Sequence, residues 1–417
     1  MHTDRRQFIT LAGAGALAAA LPFPAWAAAI AADLKPITGN ARPIGAAERE
    51  ARIAKAQRLM KDAGLSALLV EAGSSLDYFT GIRWWRSERL TAAVIPVEGS
   101  ALIVTPAFEE PSIRESLVVA GDVRVWQEDE SPFALIAAWL KARGLDRGRI
   151  GTEETVRFFA TDGLRNAAPA ARIVDGSPVV RGCRMIKSPA EIALMQIASD
   201  VQIAAYRHIY PRIERGMSQG DINAMLAAAC RALGGETDGG LVLIGESSAY
   251  PHGSEKPQRV ADGTIILLDA GCSVHGYQSD ISRTMVFGTA SKRQREVFEQ
   301  MRRGQEIAFA AARIGTEAGK VDDAVRRYYI NLGYGPGYKL PGTSHRTGHG
   351  IGMDGHEPVN LVHGETTRLA AGMCFSNEPG IYIPGEFGVR LEDCFHMTEA
   401  GPRYFSEPIK SLDQPFG

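Results

Sequence analysis

A chain of 417 residues, 45% hydrophobic and 23% charged, is ample for two domains and a large core. Its net charge of −2, with no long basic or acidic run, argues against a nucleic-acid or membrane-surface partner. A small or peptidic substrate is the expectation that remains.

The first 27 residues read as an export signal rather than as part of the fold. TDRRQFIT, residues 3–10, sets Arg5 and Arg6 before Phe8 at the spacing of a twin-arginine signal; the apolar run LAGAGALAAALPFPA follows, and Ala25-Trp26-Ala27 is a small-residue cleavage pattern. An ordinary secretory signal or an uncleaved anchor is the alternative. Glycine and alanine keep the apolar run only mildly hydrophobic, which favours the twin-arginine route, so a periplasmic protein cleaved near Ala27 and without a stable membrane anchor is expected. Five cysteines, Cys183, Cys230, Cys272, Cys374 and Cys394, are widely spaced and odd in number. They form no Cys-x-x-Cys pair, so buried free thiols are favoured over a disulfide framework, with a single disulfide left open.

From residue 45 to 178 amphipathic and strand-like runs alternate. AEREARIAKAQRLMKDAG reads as a helix ended by Gly64, followed by ALLV, AAVIPV, ALIVT, a helix near 107–120, VRVW and the helical FALIAAWLKARG. This predicts an α/β layer. VDGSPVVRGCRMIKSP then reads as a crossing to a second domain over 185–417. There Ser188-Pro189-Ala190-Glu191 supplies an N-cap, a proline at the first helical position and a glutamate three residues past the cap. A second capped helix follows Ser218, and KRQREVFEQMRRGQEIAFAAARIG and KVDDAVRRYYINLG read as two more. Glycine-punctuated strands lie at 240–288 and 343–397. Helices then strands, twice over, predict an α+β domain with internal pseudo-symmetry.

Within the first set of strands, LLDAGCSVHGYQSDISRTM (267–285) carries Asp269 and Asp280 eleven residues apart in β-prone chain. A hairpin turn centred between Val274 and His275 would set the two aspartates face to face, with Cβ atoms about 4.5–5.5 Å apart. Like charges so placed call for a cation between them; two solvated surface aspartates are the plain alternative. Four of the nine histidines, His345, His349, His356 and His363, fall within nineteen residues. Gly348, Gly350 and Gly352 argue against a helix there, and Arg346 after His345 excludes the zincin pattern. In SNEPGIYIPGEFGVRLEDC, Glu378 and Glu392 are symmetric about Gly385, so a three-residue hairpin loop would pair two more carboxylates. Arg390 and Asp393 flank the second of them, and an ordinary salt bridge would explain any one of these residues.

Asp269 and Asp280 in DAG…GYQSDISRT, His349 in GHGIG, Glu378 in NEPG and Glu392 in VRLED together resemble the dinuclear site of the pita-bread metallopeptidases. The likeness is strongest to the proline-specific branch, Xaa-Pro dipeptidase (prolidase) and aminopeptidase P. It implies a creatinase-like α/β N-terminal domain (45–178) before a pita-bread catalytic domain (185–417) with pseudo-twofold symmetry. It also implies two divalent ions, manganese before zinc, cobalt or iron, held by those five residues, with Asp280 and Glu392 bridging. The shared solvent would be a hydroxide nucleophile, Glu378 its proton acceptor, and His252 and His356 substrate-side groups able to bond the oxyanion or scissile amide. His345 matches a further pocket histidine, Arg390 an arginine beside the site, and Tyr382 a tie between strand and metal shell. A peptide with proline at its second position and a homodimer are the implied partners. Dipeptidase activity is the expectation, with Arg390 clamping the prolyl carboxylate bidentately; aminopeptidase P is the alternative. Trp84, Trp85, Arg86 and Arg89 are open to two readings, packing within their domain or walling a site. Metal-free creatinase-type and binding members of the fold lack ligands that are all present here.

Overall fold

The structure is a computed structural model that describes residues 25–416. The paired arginines and apolar run of the expected export signal lie outside them, and Ala27 falls in a short helix, Ala25–Ile30. Among the described residues no helix is long and apolar enough to cross a membrane.

The N-terminal layer is a six-stranded mixed sheet in the order Gly121–Trp126, Ala101–Pro106, Ala92–Pro96, Ala67–Glu71, Arg149–Thr152, Arg172–Asp175. Its three middle strands are buried along their whole length, as expected of a sheet covered on both faces. The helix Ala46–Ala63 ends at Gly64, whose φ of 64° makes the left-handed cap that a side chain would resist. Two readings need correction. The helix expected near 107–120 is a single 3-10 turn, Ala107–Glu109, and a helix, Glu110–Ser116, because the chain enters the strand Gly121–Trp126 at once. The presumed crossing holds a helix, Ser177–Arg184, with Val179, Val180 and Cys183 buried; eight residues are too few for their periodicity to stand out between glycines.

The second half of the chain repeats a helix pair followed by strands. Pro189–Ile209 and Gln219–Ala232, each begun by a capping box at Ser188 and Ser218, precede the sheet Ile281–Phe287, Thr264–Ala270, Gly240–Ile244. Lys292–Ala311, capped by Ser291, and Ala318–Asn331 precede the five-stranded sheet Glu357–Leu361, Gly348–Gly350, Cys374–Asn377, Asp393–Thr398, Gly401–Tyr404. The second half has its own apolar core, while that of the first half continues into the N-terminal layer. The halves are joined backbone to backbone: Ser282 and Glu392 exchange N–H to carbonyl bonds of 3.2 and 3.1 Å. All five cysteines are buried and free.

Candidate active site

Both acid-bearing hairpins keep one register from end to end, and each ladder is broken where acids are placed. In the first, Val274 pairs with Tyr277 and Asp269 with Ser282. The turn is therefore centred one residue later than expected, on His275 and Gly276, which both have positive φ (49° and 84°), the requirement of a two-residue type I′ turn. Asp269 and Asp280 are consequently diagonal neighbours rather than directly opposed. The shift changes the pairing by two residues, so both side chains keep the same face. The ladder is interrupted between Gly271 and Ser279, where a Cβ on Gly271 would lie 1.9 Å from the Ser279 carbonyl oxygen. The second hairpin has the expected register: Ile383 pairs with Phe387 around the Pro384-Gly385-Glu386 loop, and Asn377 with Asp393. Glu378 and Glu392 stand opposite each other at the gap between these two ladders. Pro379 has no N–H to continue the pairing, and Glu378 donates its N–H to the Thr347 carbonyl instead, at 2.9 Å.

These breaks converge with the strand Gly348–Gly350 on one cluster. Ligand atoms of His349, Glu378 and Glu392 lie within 4.8 Å of one another, as do those of Asp269, Asp280 and Glu392, and those of Asp280, His349 and His356. His349 Nδ1–H donates to the Gly350 carbonyl (3.0 Å), which turns Nε2 toward Glu378 Oε1 (3.2 Å), with Asp280 Oδ2 and Glu392 Oε1 each at 3.9 Å. Without an ion, burial acts downward on this imidazole, but the Glu378 hydrogen bond and the surrounding carboxylates outweigh it and raise it above its ordinary value. Burial, then the charges of Asp269 and Glu378, push the Asp280 carboxyl up to about 7. Burial and Asp280 raise Glu392 well above the carboxylate range. For Glu378 burial acts upward, but the His349 hydrogen bond and the His345 and His349 charges outweigh it and bring it to about 2. Glu392 Oε1 is buried with no hydrogen-bond partner. Four crowded carboxyls around one imidazole nitrogen, with a buried Glu392 oxygen that has no hydrogen-bond partner, fit a divalent cation, since the single His349–Glu378 pair leaves the other acids uncompensated.

The chain matches the model of metallopeptidase family M24 over residues 193–399 and that of the creatinase/prolidase N-terminal domain over 52–186. An Xaa-Pro dipeptidase of Lactobacillus helveticus is 32% identical over 86% of this chain and 97% of its own. The chain belongs to metallopeptidase family M24. Among solved structures, the dipeptidase PepE of Mycobacterium ulcerans superposes with a TM-score of 0.79 at 30% identity, covering 88% of this chain and 97% of that one. Recombinant prolidase from Thermococcus sibiricus gives 0.79 at 27% identity, with 86% and 97% covered. These neighbours carry the pita-bread architecture expected from the sequence, and the M24 family is one of divalent-metal enzymes.

In this M24 chain the cluster floors a cavity of about 420 Å³ that is also lined by His252, His345, Arg346, His356 and Arg390. His252 and His356 are exposed at its mouth, where a substrate would pass. His345 is turned inward: Nδ1–H donates to the Arg346 carbonyl (2.7 Å), so Nε2 accepts from the Tyr382 hydroxyl (2.7 Å). Both ring nitrogens are engaged, so His345 supports its neighbours and has no atom left for substrate. Tyr382 receives a bond from Arg390 Nη1 (2.9 Å), and Arg390 Nη2 reaches Asp269 Oδ2 (2.5 Å), so Tyr382 does tie its strand to the acid cluster. Arg390 also donates to Ser282 Oγ (3.2 Å) and the Pro251 carbonyl (3.1 Å). Four of its five N–H groups are engaged and its side chain is 3% exposed, which corrects the expectation of a bidentate clamp on substrate. Trp84 and Trp85 stack at 5.0 Å, Trp84 against the core and Trp85 72% exposed.

Sequence reading missed Ser282, whose hydroxyl joins Asp269 Oδ1 and Glu392 Oε2, each at 2.9 Å. Its place two residues after Asp280, hence on the same strand face, was an available signal. It also missed Arg346, the cavity's guanidinium without a hydrogen-bond or ion-pair partner among the described residues. Asp322 was missed as well; it takes bonds from Thr347 N–H (3.1 Å) and hydroxyl (2.7 Å) and so braces the histidine strip.

Proposed function

We propose that this M24 metallopeptidase hydrolyses Xaa-Pro bonds, foremost in dipeptides, using two divalent ions held by Asp269, Asp280, His349, Glu378 and Glu392. The observation that carries the two-ion reading is the pair of ligand triplets, His349–Glu378–Glu392 and Asp269–Asp280–Glu392, that share Glu392. When bound, such ions supply a solvent nucleophile at neutral pH and polarise the scissile carbonyl. Glu378, ionised across the neutral range, is placed to take the proton from that solvent. Ser282 and Arg390 hold Asp269 and Glu392 in place, and the Tyr382–His345 pair holds Arg390. His356, its ring 4.0 Å from that of His349, is placed to donate to the developing oxyanion or the leaving prolyl nitrogen, and His252 to contact the proline side. Oxygen-rich ligation with one imidazole suits manganese, zinc, cobalt or iron alike, and the likeness to the proline-specific peptidases puts manganese first.

A dipeptide brings a free carboxylate into a cavity otherwise crowded with acids, and Arg346 is the cation there with no acid of its own. We assign it the prolyl carboxylate in place of Arg390. Twin-arginine export to the periplasm and a homodimeric assembly complete the reading, supported by Arg5, Arg6 and the small-residue pattern before Ala27 and by the likeness to prolidases. The test is kcat/KM for an Xaa-Pro dipeptide, its C-terminal amide and an Xaa-Pro-Xaa tripeptide, with bound metal measured on the same preparation. The dipeptide should exceed both others by about tenfold or more. Equal rates on all three would make the enzyme an aminopeptidase P type, and a preparation active with one ion per chain would end the two-ion reading.

A further inference from the structure

We infer that Glu357 is a positioning residue for His356, gripped by Arg184 and Lys187 from the junction between the two matched domains. The inference rests on the reading of His356 as a substrate-side group.

The ring of His356 makes no hydrogen bond to any described residue; beyond its 4.0 Å contact with the His349 ring, its place comes from the chain that carries it. That chain, Gly352-Met353-Asp354-Gly355, is a bend between the strands Gly348–Gly350 and Glu357–Leu361, with two glycines to loosen it. Glu357 closes it. Its Oε1 accepts from the Met353 and Asp354 N–H groups (2.9 and 3.2 Å) and from Arg184 Nη2 (2.5 Å), and its Oε2 from Lys187 Nζ (2.9 Å). Arg184 also reaches Asp354 Oδ2 (2.8 Å) and, with Nη1, the hydroxyls of Ser74 and Ser75 in the N-terminal layer (2.9 and 3.1 Å). The Ser74 hydroxyl donates in turn to Asp354 Oδ2 (2.7 Å). Two cations and two carboxylates thus balance in a clasp whose charged members other than Asp354 are nearly buried, where removing one charge leaves the rest uncompensated.

The clasp has something to prevent. His356 lines the catalytic cavity on one side and, on the other, a second cavity of about 310 Å³ shared with Glu153, Arg181, Arg184, Asp354 and Glu357. A bend that loses Glu357's grip has room to carry the imidazole out of the first cavity and into the second. The N-terminal layer therefore reaches the reacting groups through Ser74, Ser75 and Arg184, without lining the site itself.

The experiment is a double-mutant cycle on the full-length, metal-loaded enzyme with Glu357→Gln, His356→Ala and the pair, reading kcat, KM and bound metal. Glu357→Gln should lower kcat by about tenfold to a hundredfold with KM and metal content nearly unchanged. In the His356→Ala background it should cost less than about twofold, since its effect is exerted through the missing ring. Arg184→Lys, which keeps the charge but not the fork that joins four partners, should behave the same way and serves if Glu357→Gln does not fold. An equal loss in both backgrounds, or no loss from either variant, would overturn the inference while leaving His356's role intact. An inert His356→Ala would instead remove the reading of His356, and the inference with it.

Discussion

Replacing Asp280 by asparagine should make the metal-free protein more stable while abolishing its activity. Burial first, then the neighbouring Asp269, lift this carboxyl from its ordinary 3.8 to about 7. A carboxyl whose folded pKa lies above its unfolded value destabilises the fold by an amount that grows as pH rises through 3.8 and levels off above about 7. Three pKa units at 1.36 kcal/mol each give about 4 kcal/mol at pH 8 and less than half of that at pH 5. Asparagine keeps the shape and removes the charge, so chelator-treated Asp280→Asn should melt higher than chelator-treated wild type at pH 8, on the order of 5 °C for a chain of this size. The gap should narrow at pH 5. Adding manganese should reverse the order, because wild type gains binding free energy that the variant has lost. Thermal unfolding of both proteins at the two pH values, with and without metal, is the assay. If the metal-free variant is no more stable at pH 8, or if the gap fails to widen between pH 5 and pH 8, the carboxyl crowding inferred from the geometry is absent.

His356→Ala should lower kcat by roughly a hundredfold to a thousandfold with both ions retained; loss of metal would show that its ring, grouped with Asp280 and His349, is a ligand. Arg390→Ala should reduce metal occupancy and damage dipeptides, amides and tripeptides alike, since it frees Asp269 and Tyr382. Arg346→Ala should raise KM mainly for dipeptides, and a uniform effect across substrates would return the carboxylate to another group. Lysine at both Arg5 and Arg6 should hold the protein in the cytoplasm on fractionation, and mature protein outside the membrane despite the change would point to a different export route.

The four carboxylates of the candidate metal site were legible because strand parity survives small errors, whereas His349 was separated from the neighbouring histidines only by the family resemblance of its glycine-rich strip. Misplacing the first turn by one residue moved the pairing by two and left Asp269 and Asp280 on one face, while the glutamates' symmetry about Gly385 gave their register outright. Helix starts were equally plain where serine, proline and an acid stood together, as at Ser188. What sequence could not supply was the partner of each long side chain. Arg390 could be read as a substrate clamp because Asp269, its partner, lies 121 positions away, and Glu357 gave no signal at all because its cations come from the domain junction. His345 had the right neighbours for a substrate contact, yet a tyrosine 37 residues later occupies its second nitrogen.

The seam at Ser282 and Glu392 has one more consequence. Asp269 and Asp280 come from one side of it and His349, Glu378 and Glu392 from the other, so the triplet Asp269–Asp280–Glu392 is complete only when the two halves of the catalytic domain meet. Ion binding and the association of the halves are then linked: whatever tightens one must tighten the other by the same factor. Cut in the exposed stretch between Phe287 and Lys292, the enzyme would become a split protein whose fragments rejoin more tightly as divalent metal is added, with the ion acting as the glue between them.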